Sequence, residues 1–237
     1  MSNTMLNDPL SRSDIAIRYV YQKMFSPEGK LVAVECLSRF DRSAVSPEDF
    51  FRNVNNSLRE AIFIEQLAQA EQHRDWFLEN AVFLTINIDD HILSVLQRHD
   101  IAERIERLGY VHFEVAEYSI SLLNHALASH LPPLKASLWL DDFGSGYAGI
   151  NAIRGYHFNY VKIDKGFFWH LKEKDHGRQL MQALITFLSK NNHRVIIEGV
   201  ENEEHQRWLS GMEWFAMQGF YWQEVSIEQL VQEPIIS

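Results

Sequence analysis

Eight short runs rich in β-branched and aromatic residues recur along this chain, and between most of them lie stretches whose apolar residues fall three and four apart. The runs are "AIRYVYQKMF" (16–25), "KLVAVECLSRF" (30–40), "AVFLTINI" (81–88), "YVHFEVAE" (110–117), "ASLWLDD" (136–142), "NYVKID" (159–164), "RVIIEGVE" (194–201) and "EWFAMQG" (213–219). Segments such as "ILSVLQRHDIAERIERL" and "GRQLMQALITFLSKN" carry the helical spacing. Strand then helix, repeated, predicts a mainly parallel sheet joined by right-handed crossovers. Only "SPEG" separates the first two runs, which is too short for a crossover, so these two pair antiparallel. The expected fold is α/β, a modified TIM-type (β/α)8 barrel with an antiparallel first strand pair. Periodicity leaves a doubly wound open sheet as the alternative.

With 237 residues, 46% of them hydrophobic, the chain can bury a substantial core in one large domain. Residues 1–14 are polar and are expected to form a flexible N-terminal segment, with the folded domain spanning 15–237. Neither a secretory signal nor an apolar run of membrane-spanning length is present in the sequence. A net charge of −10 argues against wrapping a long nucleic acid, since no basic footprint is available to neutralise its phosphates. Cys36 is the sole cysteine, which excludes an internal disulfide and a thiolate zinc cluster and makes a reducing cytoplasm the expected compartment.

Polar residues stand near the C-terminal ends of the runs, where a core strand would carry Val or Ile: Glu35, Asn87, Glu114, Asp141 with Asp142, Lys162, Glu198 and Gln218. Each has an ordinary reading taken singly, such as an Asp-Phe-Gly turn, a snorkelling lysine or a solvated strand end. Jointly they point to one site, because parallel barrel strands deliver their C-terminal ends to a single mouth. Five carboxylates, an amine and two amides without sulfur suit a hard divalent cation, Mg2+ or Mn2+, better than zinc. Asp141 and Asp142 side by side would serve two ions, an arrangement suited to in-line displacement at phosphorus. The eleven histidines show no HxH, HxxxH or HExxH spacing and are read as structural or solvated.

The motifs "VECLSR", "INID", "FEVAE", "DDFGSGYAGI", "VKID", "IIEGVE" and "MQGF", in this order, resemble those of the EAL domain of bacterial cyclic di-GMP phosphodiesterases over essentially the whole length. The chain looks like a stand-alone member. The resemblance implies metal-dependent opening of cyclic di-GMP to linear 5'-pGpG, with two Mg2+ or Mn2+ ions as cofactors and a homodimer as a partner state. Glu35, Asn87, Glu114 and Asp141 would hold the first ion; Asp141 would bridge to a second completed by Asp142 and Glu201. Lys162 and Glu198, with Glu35, would form the catalytic set around the attacking water. Gln22, Leu37, Arg39, Asp164 and Gln218 are the implied substrate contacts, Arg39 taking a phosphate. Glu117 would tie down the loop that carries Phe143, Gly144 and Gly146, linking metal occupancy to oligomeric state. Departures from the family pattern fall at Lys23, Phe40, Asp89 and Asn159, and none removes a metal ligand. A catalytically silent EAL module, acting as a receptor or an interaction domain, is the alternative; such modules lose ligands that this chain keeps.

Overall fold

The computed structural model describes residues 16–40, 46–123, 137–146 and 149–233. The expected 1–14 segment lies outside them. Eight strands close a barrel in sequence order: β1 (Ile17–Phe25), β2 (Leu31–Phe40), β3 (Phe83–Ile88), β4 (Val111–Ala116), β5 (Leu138–Phe143), β6 (Tyr160–Ile163), β7 (Arg194–Ile197) and β8 (Ala216–Gln218). β1 runs antiparallel to both β2 and β8, and every other pair is parallel. The closed barrel, rather than an open sheet, is the outcome of the alternating pattern, and the short hairpin turn sets the one reversed strand. That turn is closed by Gly29 N–H donating to the Ser26 carbonyl at 2.9 Å.

The last two strands end sooner than their apolar runs suggest. β7 stops at Ile197 because Gly199 takes a left-handed φ of 74° that turns the chain out of the sheet. The long helical pattern after β3 is divided in two, Asp90–Val95 and His99–Leu108, each with its own start. Asp89 caps the first by accepting from Ile92 N–H at 2.9 Å. No helix among the described residues is long and apolar enough to cross a membrane.

Two cores result. The larger lies between strands and helices, where outward strand residues such as Val34, Ile86, Phe113, Val161 and Ile197 meet helix residues such as Phe63, Leu67, Ile105, Met181 and Ile185. The smaller plugs the barrel interior: Met24, Ala33, Trp139, Tyr160, Ile196 and Ala216, with Phe83 and Phe215 packed on them. Trp139 and Tyr160 stack at 4.0 Å, and Phe83 meets both rings edge-on. Because strand side chains alternate, the residue two positions beyond each plug residue on the parallel strands also points inward, one layer closer to the mouth. From Ala33, Trp139, Tyr160, Ile196 and Ala216 that step reaches Glu35, Asp141, Lys162, Glu198 and Gln218. The apolar plug is therefore the floor on which the polar layer rests.

His112 belongs to the plug rather than to the site. Its Nδ1 accepts from Ser137 N–H at 3.0 Å, which leaves the neutral ring's proton on Nε2. Burial pushes the imidazole pKa down to about 4. The unfolded ring, near 6.5, takes up its proton first as the pH falls. Stability contributed by the neutral ring is thus fully present above about pH 6.5 and is lost as pH falls through about 4. Urea unfolding at pH 7 and at pH 4.5 should show His112→Asn losing about 2.5 kcal/mol less than the unsubstituted protein over that interval. Equal losses would remove His112 from the acid response.

Candidate active site

The barrel's polar layer gathers around one ammonium group. Lys162 Nζ lies 2.7 Å from Glu114 Oε2, 2.8 Å from Glu198 Oε1, 2.9 Å from Asp141 Oδ1 and 3.1 Å from Glu35 Oε2. Its side chain is only 1% exposed. The amides fill in from neighbouring strands. Asn87 Nδ2 donates to Glu35 Oε1 at 2.5 Å, and Gln218 Nε2 donates to Glu35 Oε2 at 2.6 Å and to Gln22 Oε1 at 2.8 Å. Strand register brings these residues near one another: Gln22 stands opposite Glu35, Thr85 beside Glu35 with Asn87 two positions on, and Gln218 opposite Met24, two positions from Gln22.

Asp142 reaches the same site by a different device. The β5–β6 register slips between Leu140 and Phe143, and Asp142 takes a left-handed φ of 56°, uncommon for a residue other than glycine. The bulge turns two consecutive carboxylates toward the mouth, which a regular strand would send to opposite faces. One oxygen each of Asp141, Asp142 and Glu198 then lies within 4.8 Å of the others.

The charge balance is poor. One ammonium faces four carboxylates, with Asp142 close by. Burial by itself would lower the Lys162 pKa, but Asp141, Glu114, Glu198 and Glu35 together hold it well above its ordinary value. Glu35 is also buried, yet the Lys162 charge and the Gln218 and Asn87 donors keep its carboxyl below the usual range. Its neighbours go the other way. Burial, then the Glu35 charge, raises Glu114 well above a normal glutamate; burial raises Asp141 as well. The adjacent Asp141 charge, with burial, lifts Asp142 to about 7, and burial lifts Glu198 to about 8. Carboxyls pushed up in this way mark negative charge that the protein's own cation leaves unmatched. Glu114 Oε1 is buried with no hydrogen-bond partner, and Asp141 Oδ1 faces Lys162 off a hydrogen-bond angle. An oxygen-rich, sulfur-free donor set with surplus negative charge fits hard divalent cations.

The remaining sequence candidates fall in three groups. Leu37 and Arg39 continue the inward row of β2 beyond Glu35; Leu37 is half-buried, and the Arg39 guanidinium is engaged by Glu224, with Nε 3.3 Å from Oε2 and Nη2 also on that carboxylate. Asp164 caps the helix Lys165–Lys172, accepting from Phe167 N–H at 2.8 Å, while its own N–H bonds the Phe143 carbonyl. Glu201 is exposed and stands outside the Asp141, Asp142 and Glu198 group.

Glu117 is fully buried, and its carboxylate accepts from Gly144 N–H at 2.8 Å, Ser145 N–H at 3.1 Å, Ser145 Oγ at 3.3 Å and Gly149 N–H. One side chain thereby gathers the loop after β5 from both ends. Gly144 is required there: its φ is 100°, and a Cβ would fall 2.8 Å from the Phe167 ring. Gly146, at φ 109°, continues the turn in open space.

Of the departures, Lys23 turns outward to Glu233 at 2.8 Å, Asp89 pairs with Arg59, and Asn159 precedes the plug residue Tyr160, away from the mouth. Glu224 is the residue at this site that sequence reasoning missed. It sits six positions past Gln218 in a segment without periodicity, so only its place in space reveals it.

The family model of the EAL domain matches residues 5–224. Cyclic di-GMP phosphodiesterase PdeH of Escherichia coli K12 is 31% identical over 209 residues, covering 86% of this chain and 81% of PdeH. Anti-FlhC(2)FlhD(4) factor YdiV of Salmonella arizonae is 25% identical, covering 72% of this chain and 73% of YdiV. The chain spans only 28% of another relative, the biofilm architecture maintenance protein MbaA of Vibrio cholerae. Among solved structures, the EAL-like domain protein YdiV superposes with a TM-score of 0.78 at 18% identity, covering 91% of this chain and 95% of that one. The Klebsiella pneumoniae BlrP1 complex with manganese and cyclic di-GMP gives 0.72 at 18% identity, over 92% of this chain and 58% of that one. At these identities the superpositions speak for the fold.

Proposed function

This chain belongs to the EAL domain family, and on that premise we propose that it is a metal-dependent phosphodiesterase opening cyclic di-GMP to linear 5'-pGpG. The observation that carries the reading is the cluster of Glu35, Glu114, Asp141, Asp142 and Glu198 around Lys162 at the barrel mouth, with surplus negative charge and Arg39 on the same face of β2. Glu35, Asn87, Glu114 and Asp141 would hold one Mg2+ or Mn2+ ion, and Asp141, Asp142 and Glu198 a second; Glu201, which the resemblance assigns to that second ion, lies outside this group of three. Such ions, when bound, polarise phosphoryl oxygens and make water a better nucleophile.

The chain's own groups have separable tasks. Arg39 offers a planar two-pronged cation to a phosphate, which a −10 protein needs locally because its overall field repels the dinucleotide. Gln22 and Leu37 line the approach, one with an amide for a base edge and one with apolar surface. Lys162, held protonated, donates to the attacking water and orients it. Glu198, one oxygen of which lies 2.8 Å from Lys162 Nζ, is placed to accept that water's proton on a carboxylate oxygen. Water adds to phosphorus, the bond to the 3'-oxygen breaks, and that oxygen leaves with the proton that Glu198 took from the water. Gln218 fixes Glu35 and Gln22 in register. Glu117 holds the loop after β5 against the site, and exposed Tyr118, Ile120 and Ile150 beside it are where a homodimer would meet.

Incubation with cyclic di-GMP and Mg2+, followed by chromatography, should yield 5'-pGpG. EDTA should stop the reaction, and Mg2+ or Mn2+ should restore it. Ca2+ should support little turnover, because its larger, looser coordination fits the water poorly. Binding without cleavage under every metal would establish the silent-module alternative, and full activity after exhaustive chelation would remove metals from the mechanism.

A further inference from the structure

Arg39 is the group best suited to receive a phosphate, yet its guanidinium already holds a carboxylate. Nε donates to Glu224 Oε2 at 3.3 Å and Nη2 donates to Oε1, the fork-to-fork geometry in which arginine also binds phosphate. A third donor, Nη1, reaches the Ser38 carbonyl at 3.2 Å.

Glu224 is not a surface carboxylate that happens to be near. Its neighbour Val225 is pinned to β1 by a pair of backbone bonds, Tyr21 N–H to the Val225 carbonyl at 2.8 Å and Val225 N–H to the Tyr21 carbonyl at 3.2 Å. Trp222 packs on Phe25 at 4.8 Å before it, and Ser226 starts the helix Ile227–Gln232 with a reciprocal capping box after it. The backbone on both sides is held, so the carboxylate is delivered to Arg39 with little ordering left to do. Both side chains are only about a quarter exposed, 26% for Arg39 and 21% for Glu224, so solvent screens the pair incompletely.

We propose that Glu224 is an internal stand-in for substrate phosphate: it occupies the Arg39 fork in the free protein and must give way when the dinucleotide binds, so it sets the affinity of the site. This rests on the reading of Arg39 as the phosphate-binding residue. A dianionic ligand competes with a tethered monoanion for one cation, and it also meets that monoanion's repulsion once displaced. Glu224 is an affinity-setting residue that weakens binding of phosphodiester ligands and leaves the cleavage chemistry to the carboxylates deeper in the barrel.

The test is calorimetric titration with cyclic di-GMP in Ca2+, together with product chromatography in Mg2+. Glu224→Gln should bind about tenfold more tightly than the unsubstituted protein, on the scale that a partly buried charge-assisted pair contributes. The gain should vanish in an Arg39→Ala background. Glu228→Gln, which removes the same charge four residues away at an exposed site without touching Arg39, should change the affinity less than twofold. Equal or weaker binding by Glu224→Gln, a gain that survives Arg39→Ala, or an equal gain from Glu228→Gln would each overturn the proposal. If the unsubstituted protein cleaves cyclic di-GMP and Glu224→Gln shows no gain, only this inference falls. If Glu224→Gln binds more tightly and nothing is cleaved, the inference stands and the enzyme reading falls. Folded protein that neither binds nor cleaves in any form ends both.

Discussion

Glu35→Ala should lower kcat/KM for cyclic di-GMP by at least about a thousandfold at saturating Mg2+, the scale on which loss of a group that organises transition-state charge is felt. Glu35 is the hub of the polar layer. It takes hydrogen bonds from Asn87, Gln218 and Lys162, and its removal frees three donors while deleting a carboxylate from the proposed metal set. The fold should tolerate the change. Beyond burial and, for Asp142, the Asp141 charge, Glu35 adds to the raised pKa values of Glu114, Asp141, Asp142 and Glu198, so the like-charge crowding relieved by its loss offsets the hydrogen bonds its three donors lose. Chemical unfolding in EDTA should therefore show a variant close to the unsubstituted protein in stability. Near-normal turnover would reject this site, and an unfolded variant would make Glu35 a structural keystone.

Lys162→Met should differ in stability, losing it together with turnover. The ammonium is the only cation within ion-pair distance of the central carboxylates among the described residues. Breaking a buried ion pair from one side leaves uncompensated charge and costs about 3–5 kcal/mol. Methionine preserves most of the volume, so the loss reports charge rather than packing. The deficit measured by urea unfolding in EDTA should shrink when Mg2+ or Mn2+ is added, because a ligand at a hundred times its dissociation constant returns about 2.7 kcal/mol. A variant as stable as the unsubstituted protein in EDTA would mean that the carboxylates do not confront one another as charges. Instability that no divalent ion relieves would separate the lysine's structural role from any metal site.

Much of the fold was legible because strand and helix periodicities differ and this chain keeps them distinct. The run "AVFLTINI" supplies the strand Phe83–Ile88, whereas "GRQLMQALITFLSKN", with apolar residues three and four apart, forms the helix Gly177–Lys190. The candidate site was legible for a related reason. A charged residue among β-branched neighbours, as Glu35 and Lys162 are, conflicts with burial unless a partner exists, and several such conflicts at strand ends imply one shared partner. Positions whose side chains do ordinary structural work gave no comparable signal of a site. Asp164 caps a helix, a task that a polar residue before a helical run does announce, whereas Lys23 pairs with Glu233 across 210 residues, which no local pattern encodes.

Sequence alone thus determined the element types, the antiparallel pairing of the first two strands and the inventory of acids at the strand ends, since each depends on residues within a few positions of one another. Tertiary structure decided three things. Barrel closure brought strands β1 and β8 together and so placed Gln218 on Glu35, 183 residues away along the chain. The β5 bulge turned Asp142 to the same side as Asp141, through a backbone angle set by pairing with β6. The bridge from Val225 to Tyr21 delivered Glu224 to Arg39. All three are contacts between remote segments, and their strength depends on distance and burial in space, which no local pattern of residues encodes.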